Sequence, residues 1–337
     1  MSIYLSPASS LELIRYLRSV NAEDGLGGTI VRKRSLNDAE GTMRHLKELD
    51  VTAQLWLNHV SKPIHVFVGD KTQTAHSSQL VTHVFAQKIP HGAFLNLGHD
   101  ICICSPQFTF MQLAAELDAV ELIAIGMELC GSYSNWRMKP DRMFYPYFFE
   151  HDETRACTFD LPPAMKAIQL NSFIERLEGY RGAVGARAAA RWVLDCSASP
   201  METATYLLLC LPKRLGGYGL PQPVLNPELT ISNPDGVKKR YPDLYWPGPN
   251  IDVEYNSDAA HSGDWSRYRD SKREVEFVVA NVRVLPLTRP QLFNAEEFDA
   301  FAQGLRRMLG VRARKADAGW HSRHIELRSK LLAGWEY

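Results

Sequence analysis

Apolar and polar positions recur along this chain at two different periods, and the switches between them predict its elements. The opening IYLSPASSLELIRYLRSV has the helical spacing Leu11, Ile14, Leu17 and Val20, with Ser9 or Ser10 as its cap. Helix returns near 40–58. From residue 63 the period falls to two. PIHVFVGD, TQTAHSSQLVTHVFAQ and GAFLNLGHDICICS then predict a small antiparallel sheet. SPQFTFMQLAAELDAVELIAIGMELCG reverts to helical spacing through Leu113, Leu117 and Leu122. Ser105 is its cap and Pro106 lies in its first turn, giving one helix or a pair. Residues 159–195 predict two more helices broken by glycine near 179–185. Ser199, Pro200 and Glu202 then form a capping box for a helix with the stripe Ala204, Leu207, Leu208 and Leu211. Short strands follow, and residues 295–337 end the chain in helices.

Composition narrows the class. The 337 residues are 45% hydrophobic and 23% charged, which places the chain among globular proteins rather than disordered ones, with room for two or three domains. Lys plus Arg equals Asp plus Glu at 38 each, so no global field attracts nucleic acid and any such binding falls to local patches. The six cysteines include no CxxC pair, which argues against zinc and for buried free thiols. No leader-like start and no apolar run of about 18 residues occurs. The expectation is therefore a cytoplasmic protein without a membrane partner.

The chemistry concentrates in residues 241–273. Two short apolar runs, YPDLYW and IDVEYN, are joined by the turn PGPN, and each carries an acid where a buried strand tolerates few. Adjacent antiparallel strands hold opposed side chains about 5 Å apart, so Asp243 and Glu254 can converge on one cation. Hard carboxylate oxygens suit Mg2+ or Mn2+, and Mg2+ commonly takes one or two protein carboxylates plus substrate phosphate. Asp252 reads as a solvated edge residue. His261 follows in a loop. Arg269, Asp270, Lys272 and Arg273 lie on a predicted helix before the strand VRVLPLT, where Asp270 and Arg273 also suit an ion pair.

That order of Asp, Glu, His, then Asp-x-x-Arg on a helix, then an apolar strand ending in Thr resembles the PD-(D/E)XK nucleases, in the branch related to very-short-patch-repair endonucleases. Pro242 and Asp243 stand as the PD and Glu254 as the second acid. The resemblance covers about residues 196–293. It implies an α/β (α+β) fold with a C-terminal αβββαβ core and a metal-dependent endonuclease acting on DNA, in phage defence or a toxin system. It further implies metal binding by Asp243 and Glu254. His261 or Asn256 would position water, and Arg273, Lys272 and Arg269 would meet phosphate. Glu202, on the first helix, would approach the metal. The departure is Asn256, where the superfamily carries Lys and this branch often Asp. That residue also opens a second expectation, a catalytically inactive DNA-binding regulator on the same scaffold.

The expected organisation is an α+β recognition or regulatory region over 1–160, loosely similar to AbiEi proteins and able to meet a protein partner. A helical linker over 161–195, the nuclease-like domain over 196–293 and a basic helical tail over 294–337 follow. The tail sets eight cations, from Arg306 to Lys330, against Asp317 and Glu326, as a nucleic-acid track or as the solvated side of packed helices. The cluster Arg32, Lys33 and Arg34 is either a phosphate contact or a solvated loop. Basic residues among the aromatics of 131–160 either stack on bases or cover core. Six histidines between His59 and His99 match no ligand spacing and read as solvated or hydrogen-bonded rings.

Overall fold

A computed structural model describes residues 2–20, 26–36, 39, 41–136, 157–233, 236–256, 277, 280–313 and 317–335. The chain is of α/β (α+β) class and divides into two compact units, Met1–Val193 and Leu194–Tyr337. The divide lies at the end of the segment read as a linker, so the helices of 161–193 belong to the first unit.

The first unit is built on a six-stranded sheet of β1 (Ile3–Leu5), β2 (Thr29–Ile30), β3 (Ile64–Val68), β4 (Leu80–Val84), β5 (Phe94–Gly98) and β6 (Ile101–Cys104). The strand order is β2-β5-β6-β1-β3-β4. The expectation of an antiparallel sheet is corrected here. β1 runs parallel to β6, and β3 runs parallel to β4. Strand β1, three residues long, inserts between β3 and β6, antiparallel to the first and parallel to the second. So short a strand leaves no periodicity to detect.

Helix α1 (Pro7–Val20) begins ahead of the serines expected to cap it. Those serines join the helix to the sheet instead. Ser9 Oγ accepts from the His65 amide at 2.9 Å, and Ser10 Oγ donates to Leu5 O at 3.1 Å while accepting from the Cys104 amide at 2.9 Å. Val20 falls off the buried stripe and is exposed. The helical period in 43–57 resolves into α2 (Met43–Glu48) and α3 (Val51–Leu57), capped by Thr42 and Asp50. Ser105 caps α4 (Pro106–Leu113), and Asp118 and Glu121 form a capping box at α5 (Ala119–Cys130). After α6 (Ala167–Glu175), Gly182 turns the chain at φ +86° into α7 (Ala183–Ala190). A Cβ there would lie 2.8 Å from Met111 O, so the position needs glycine twice over. Between α5 and α6, β7 (Ser134–Asn135) pairs β8 (Cys157–Thr158).

The second unit opens on α8 (Pro200–Cys210), capped by Ser199. Its main sheet has the order β14-β13-β12-β9, from β9 (Val224–Leu225), β12 (Leu244–Trp246), β13 (Ile251–Asn256) and β14 (Arg283–Thr288). A separate hairpin, β10 (Leu229–Asn233) with β11 (Gly236–Arg240), interrupts the chain between β9 and β12. β9, β12 and β13 are antiparallel, whereas β13 and β14 are parallel. A parallel pair requires a crossover, which residues 257–282 supply, and the helix expected there is largely outside the described residues. Buried Phe277, at its end, packs with Ile231 and Val282. Helices α9 (Arg289–Phe293), α10 (Ala295–Met308) and α11 (Trp320–Leu332) complete the unit. Among the described residues, no helix is long and apolar enough to cross a membrane. Five cysteines are buried free thiols as expected, and Cys196 is exposed.

Candidate metal centre

The PGPN turn sets the register on which the site depends. Leu244 pairs with Val253, Tyr245 with Asp252 and Trp246 with Ile251. Continuing by one residue sets Asp243 opposite Glu254. Because strand side chains alternate, Asp243, Tyr245, Asp252 and Glu254 share one face, and Leu244, Trp246, Ile251 and Val253 share the other. All four of the latter are buried core. The turn is pinned by Asn250 at φ +55°, which accepts from the Tyr245 hydroxyl and donates to Asn281 O at 2.7 Å.

Asp243 is half-buried where the β12–β13 ladder ends. Its Oδ2 accepts from the Tyr255 amide at 2.8 Å, in place of a strand carbonyl. Glu254 is buried at 8% exposure. Asp252, expected as a solvated edge residue, is wholly buried, and this is a correction. The hydrophobic cluster of Phe277, Ile231 and Val282 packs against Tyr245, Asp252's cross-strand partner. Asp252's charge, after burial, pushes the Tyr245 hydroxyl pKa up. At the other end of β13 the face opens, and Asn256 is exposed.

Glu202 enters this group from α8. The expected capping box is altered: Ser199 Oγ accepts from the Glu202 amide at 3.1 Å, but the Glu202 carboxylate reaches past Ser199's amide to that of Ala198 at 2.9 Å. It also accepts from the Ser199 hydroxyl at 3.0 Å and from Asn226 Nδ2 at 2.7 Å. Burial raises the Glu202 pKa, those three donors oppose the rise, and the nearby charge of Glu254 adds to it. Two acids from different elements therefore share one low-dielectric region. Their repulsion is relieved by a proton or by a cation.

Asn226 is the residue that sequence reading missed. It sits after β9 at φ +45°, where its amide nitrogen donates to Asp243 O at 3.2 Å and its side chain donates to Glu202 and to Cys196 O. One residue thus ties the Glu202 carboxylate to the Asp243 backbone. Asn in NPEL after a short apolar run was the available signal, since Asn tolerates the left-handed conformation better than most residues.

His261, Arg269, Asp270, Lys272 and Arg273 lie outside the described residues. Among the described residues, no three His, Cys, Asp or Glu side chains form a metal-holding group. The donor set nevertheless suits a hard divalent cation, because Glu202, Asp243 and Glu254 offer only carboxylate oxygen and two of the three are buried. The basic tail is partly used internally. Arg328 is buried and donates to Leu292 O and Phe293 O, Arg323 pairs with Asp317, and Lys330 pairs with Glu326. No family model, curated protein or solved structure matches the chain.

Proposed function

We propose that the second unit is a metal-dependent endonuclease that hydrolyses phosphodiester bonds in DNA. The observation that carries this reading is the burial of Glu202 and Glu254, with Asp243 set by the β12–β13 register opposite Glu254. Asp243 and Glu254 would hold Mg2+ or Mn2+, with Glu202 beside them. The cation supplies Lewis-acid activation of water and offsets charge on the phosphate. Asn256, at the open end of the acidic face, orients water through its amide. His261 would share that role, and Arg273, Lys272 and Arg269 would bind phosphate oxygens, on the strength of the resemblance to PD-(D/E)XK nucleases. The sheet of three antiparallel strands plus one parallel strand, preceded by α8, is compatible with the αβββαβ order of that family. A cytoplasmic setting in phage defence or a toxin system belongs to the same reading.

Asn256 favours a second reading, a DNA-binding regulator that keeps the scaffold without the reaction, because an amide cannot serve as the base that Lys or Asp provides.

Cleavage of supercoiled plasmid and of short single- and double-stranded DNA with Mg2+ or Mn2+ separates the two. The expected result is metal-dependent nicking that falls at least about a hundredfold in Glu254→Ala and in Asp243→Asn. The Asn substitution keeps an acceptor for the Tyr255 amide, so the ladder end is preserved. DNA binding without cleavage under either metal moves the assignment to the regulator. Equal cleavage by wild type and variants places the chemistry elsewhere.

A further inference from the structure

The first unit contains a pocket of about 460 Å³ whose rim is strongly cationic. Arg32, Lys33, Arg34, Lys88 and Arg176 line it, and among the described residues no Asp or Glu does. The cations arrive from three separated segments held together by backbone. Val31 N donates to Phe94 O at 3.0 Å and Ile89 N to Arg34 O at 3.0 Å, fixing 31–34 beside 88–94. The Tyr180 hydroxyl donates to Lys88 O at 2.7 Å and ties down the chain beyond α6. The floor is apolar, formed by buried Ile89, Phe173 and Leu177.

Some arginines elsewhere on this protein meet carboxylates, as Arg44 does with Glu48 and Arg323 with Asp317. Among the described residues, Arg32, Arg34, Lys88 and Arg176 meet none. Arg176 Nε donates to Ser172 O at 3.0 Å, and its guanidinium lies 5.8 Å from the centre of the Phe173 ring. Gathering like charges on a preformed frame in a chain of zero net charge is unfavourable for the free protein. A bound polyanion reverses that sign. Arginine forks match phosphate oxygens bidentately, and the guanidinium of Arg176 with the rings of His91 and Tyr180 offers planar surface for a base. The volume lies within the range of roughly 300–1,000 Å³ usual for small-ligand sites.

We infer that this pocket is a nucleoside-phosphate site, filled either by a free nucleotide or by one or two nucleotides of a single strand. The site uses no residue of the acidic centre and stands independently of the nuclease reading.

The test is binding to the full chain in EDTA, so that no cleavage intervenes. A fluorescein-labelled single-stranded DNA of about ten nucleotides is followed by anisotropy, with unlabelled ATP, dTTP and inorganic phosphate as competitors. Arg32→Glu, Lys88→Glu and Arg176→Glu should each weaken the labelled strand about tenfold and lower the salt slope by about 1, with unchanged melting temperature. Competition by ATP or dTTP at concentrations where phosphate has no effect identifies a free-nucleotide site. Displacement only by unlabelled strand identifies a polynucleotide site. If ATP and dTTP do not compete and the three reversals leave strand binding unchanged, the inference is overturned, as it is if no probe binds.

Discussion

The two units bury charge in opposite ways. In the first, Arg15 and Glu128 are both almost wholly buried and meet through two contacts of 2.6 Å, Nε to Oε1 and Nη2 to Oε2. Arg18, also fully buried, donates to the carbonyls of Glu128, Gly131, Tyr133 and Pro162. Burial pulls the Arg18 pKa down and the neighbouring Glu128 charge opposes this, so the cation is solvated by the protein itself. In the second unit the described partners of buried Glu202 are neutral: an amide, a hydroxyl and an Asn side chain. Neutral donors orient a carboxylate without cancelling its charge. The first arrangement is closed and locks α1 against α5; the second holds its carboxylate through neutral donors.

The largest effect expected from breaking this contrast is in the closed pair. Arg15→Met leaves Glu128 buried without its fork and should cost about 3–5 kcal/mol, read by denaturant unfolding, whereas Arg15→Met with Glu128→Leu should recover much of the loss. No loss of stability in Arg15→Met alone would show that the pair contributes nothing to the fold. Next, Asn226→Ala removes the donor shared by Glu202 and Cys196 O and should cost about 1–3 kcal/mol. If Asn226 positions the acids, cation-induced stabilisation should also weaken. That stabilisation is the third prediction: Mg2+ at about a hundred times its dissociation constant should stabilise the second unit by about 2.7 kcal/mol, and Glu254→Ala should abolish the increment. An equal increment in the variant would remove Glu254 from the cation site.

The smaller effects concern pH. Glu202 has a raised pKa, so its protonated form is favoured by folding; its contribution is fully present below the ordinary value of 4.5 and is lost as pH rises through the folded value. In metal-free buffer, wild type should therefore lose stability relative to Glu202→Gln as pH rises through the carboxylate range, and a flat difference would contradict the burial argument. His324 has the reverse sign. Its Nδ1 donates to Gly216 O at 2.7 Å, and burial lowers its pKa. Its contribution is present above 6.5 and lost as pH falls through the folded value, a loss that His324→Gln should reduce.

Much of this architecture was legible locally. Ser105 and Ser199 mark helix starts because a cap acts within three residues of itself. The pairing of the two runs was legible because a short turn leaves little freedom of register. Strand β1 was not, since its neighbours β3 and β6 are about 60 and 100 residues away and pairing with them is a non-local event.

The sequence by itself determined the alternation on β12 and β13, the turn between them and thus which acids share a face. Only the tertiary structure decided what covers that face. The Phe277 cluster packs against Tyr245, the cross-strand partner of buried Asp252, α8 brings Glu202 under the influence of Glu254, and Asn226 joins Glu202 to Asp243. The same holds for Arg15 and Arg18, two charges on a helix stripe that pattern alone assigns to solvent. Periodicity fixes the direction of a side chain relative to its own element. Burial and charge depend on elements distant in sequence, and those are set only when the chain has packed.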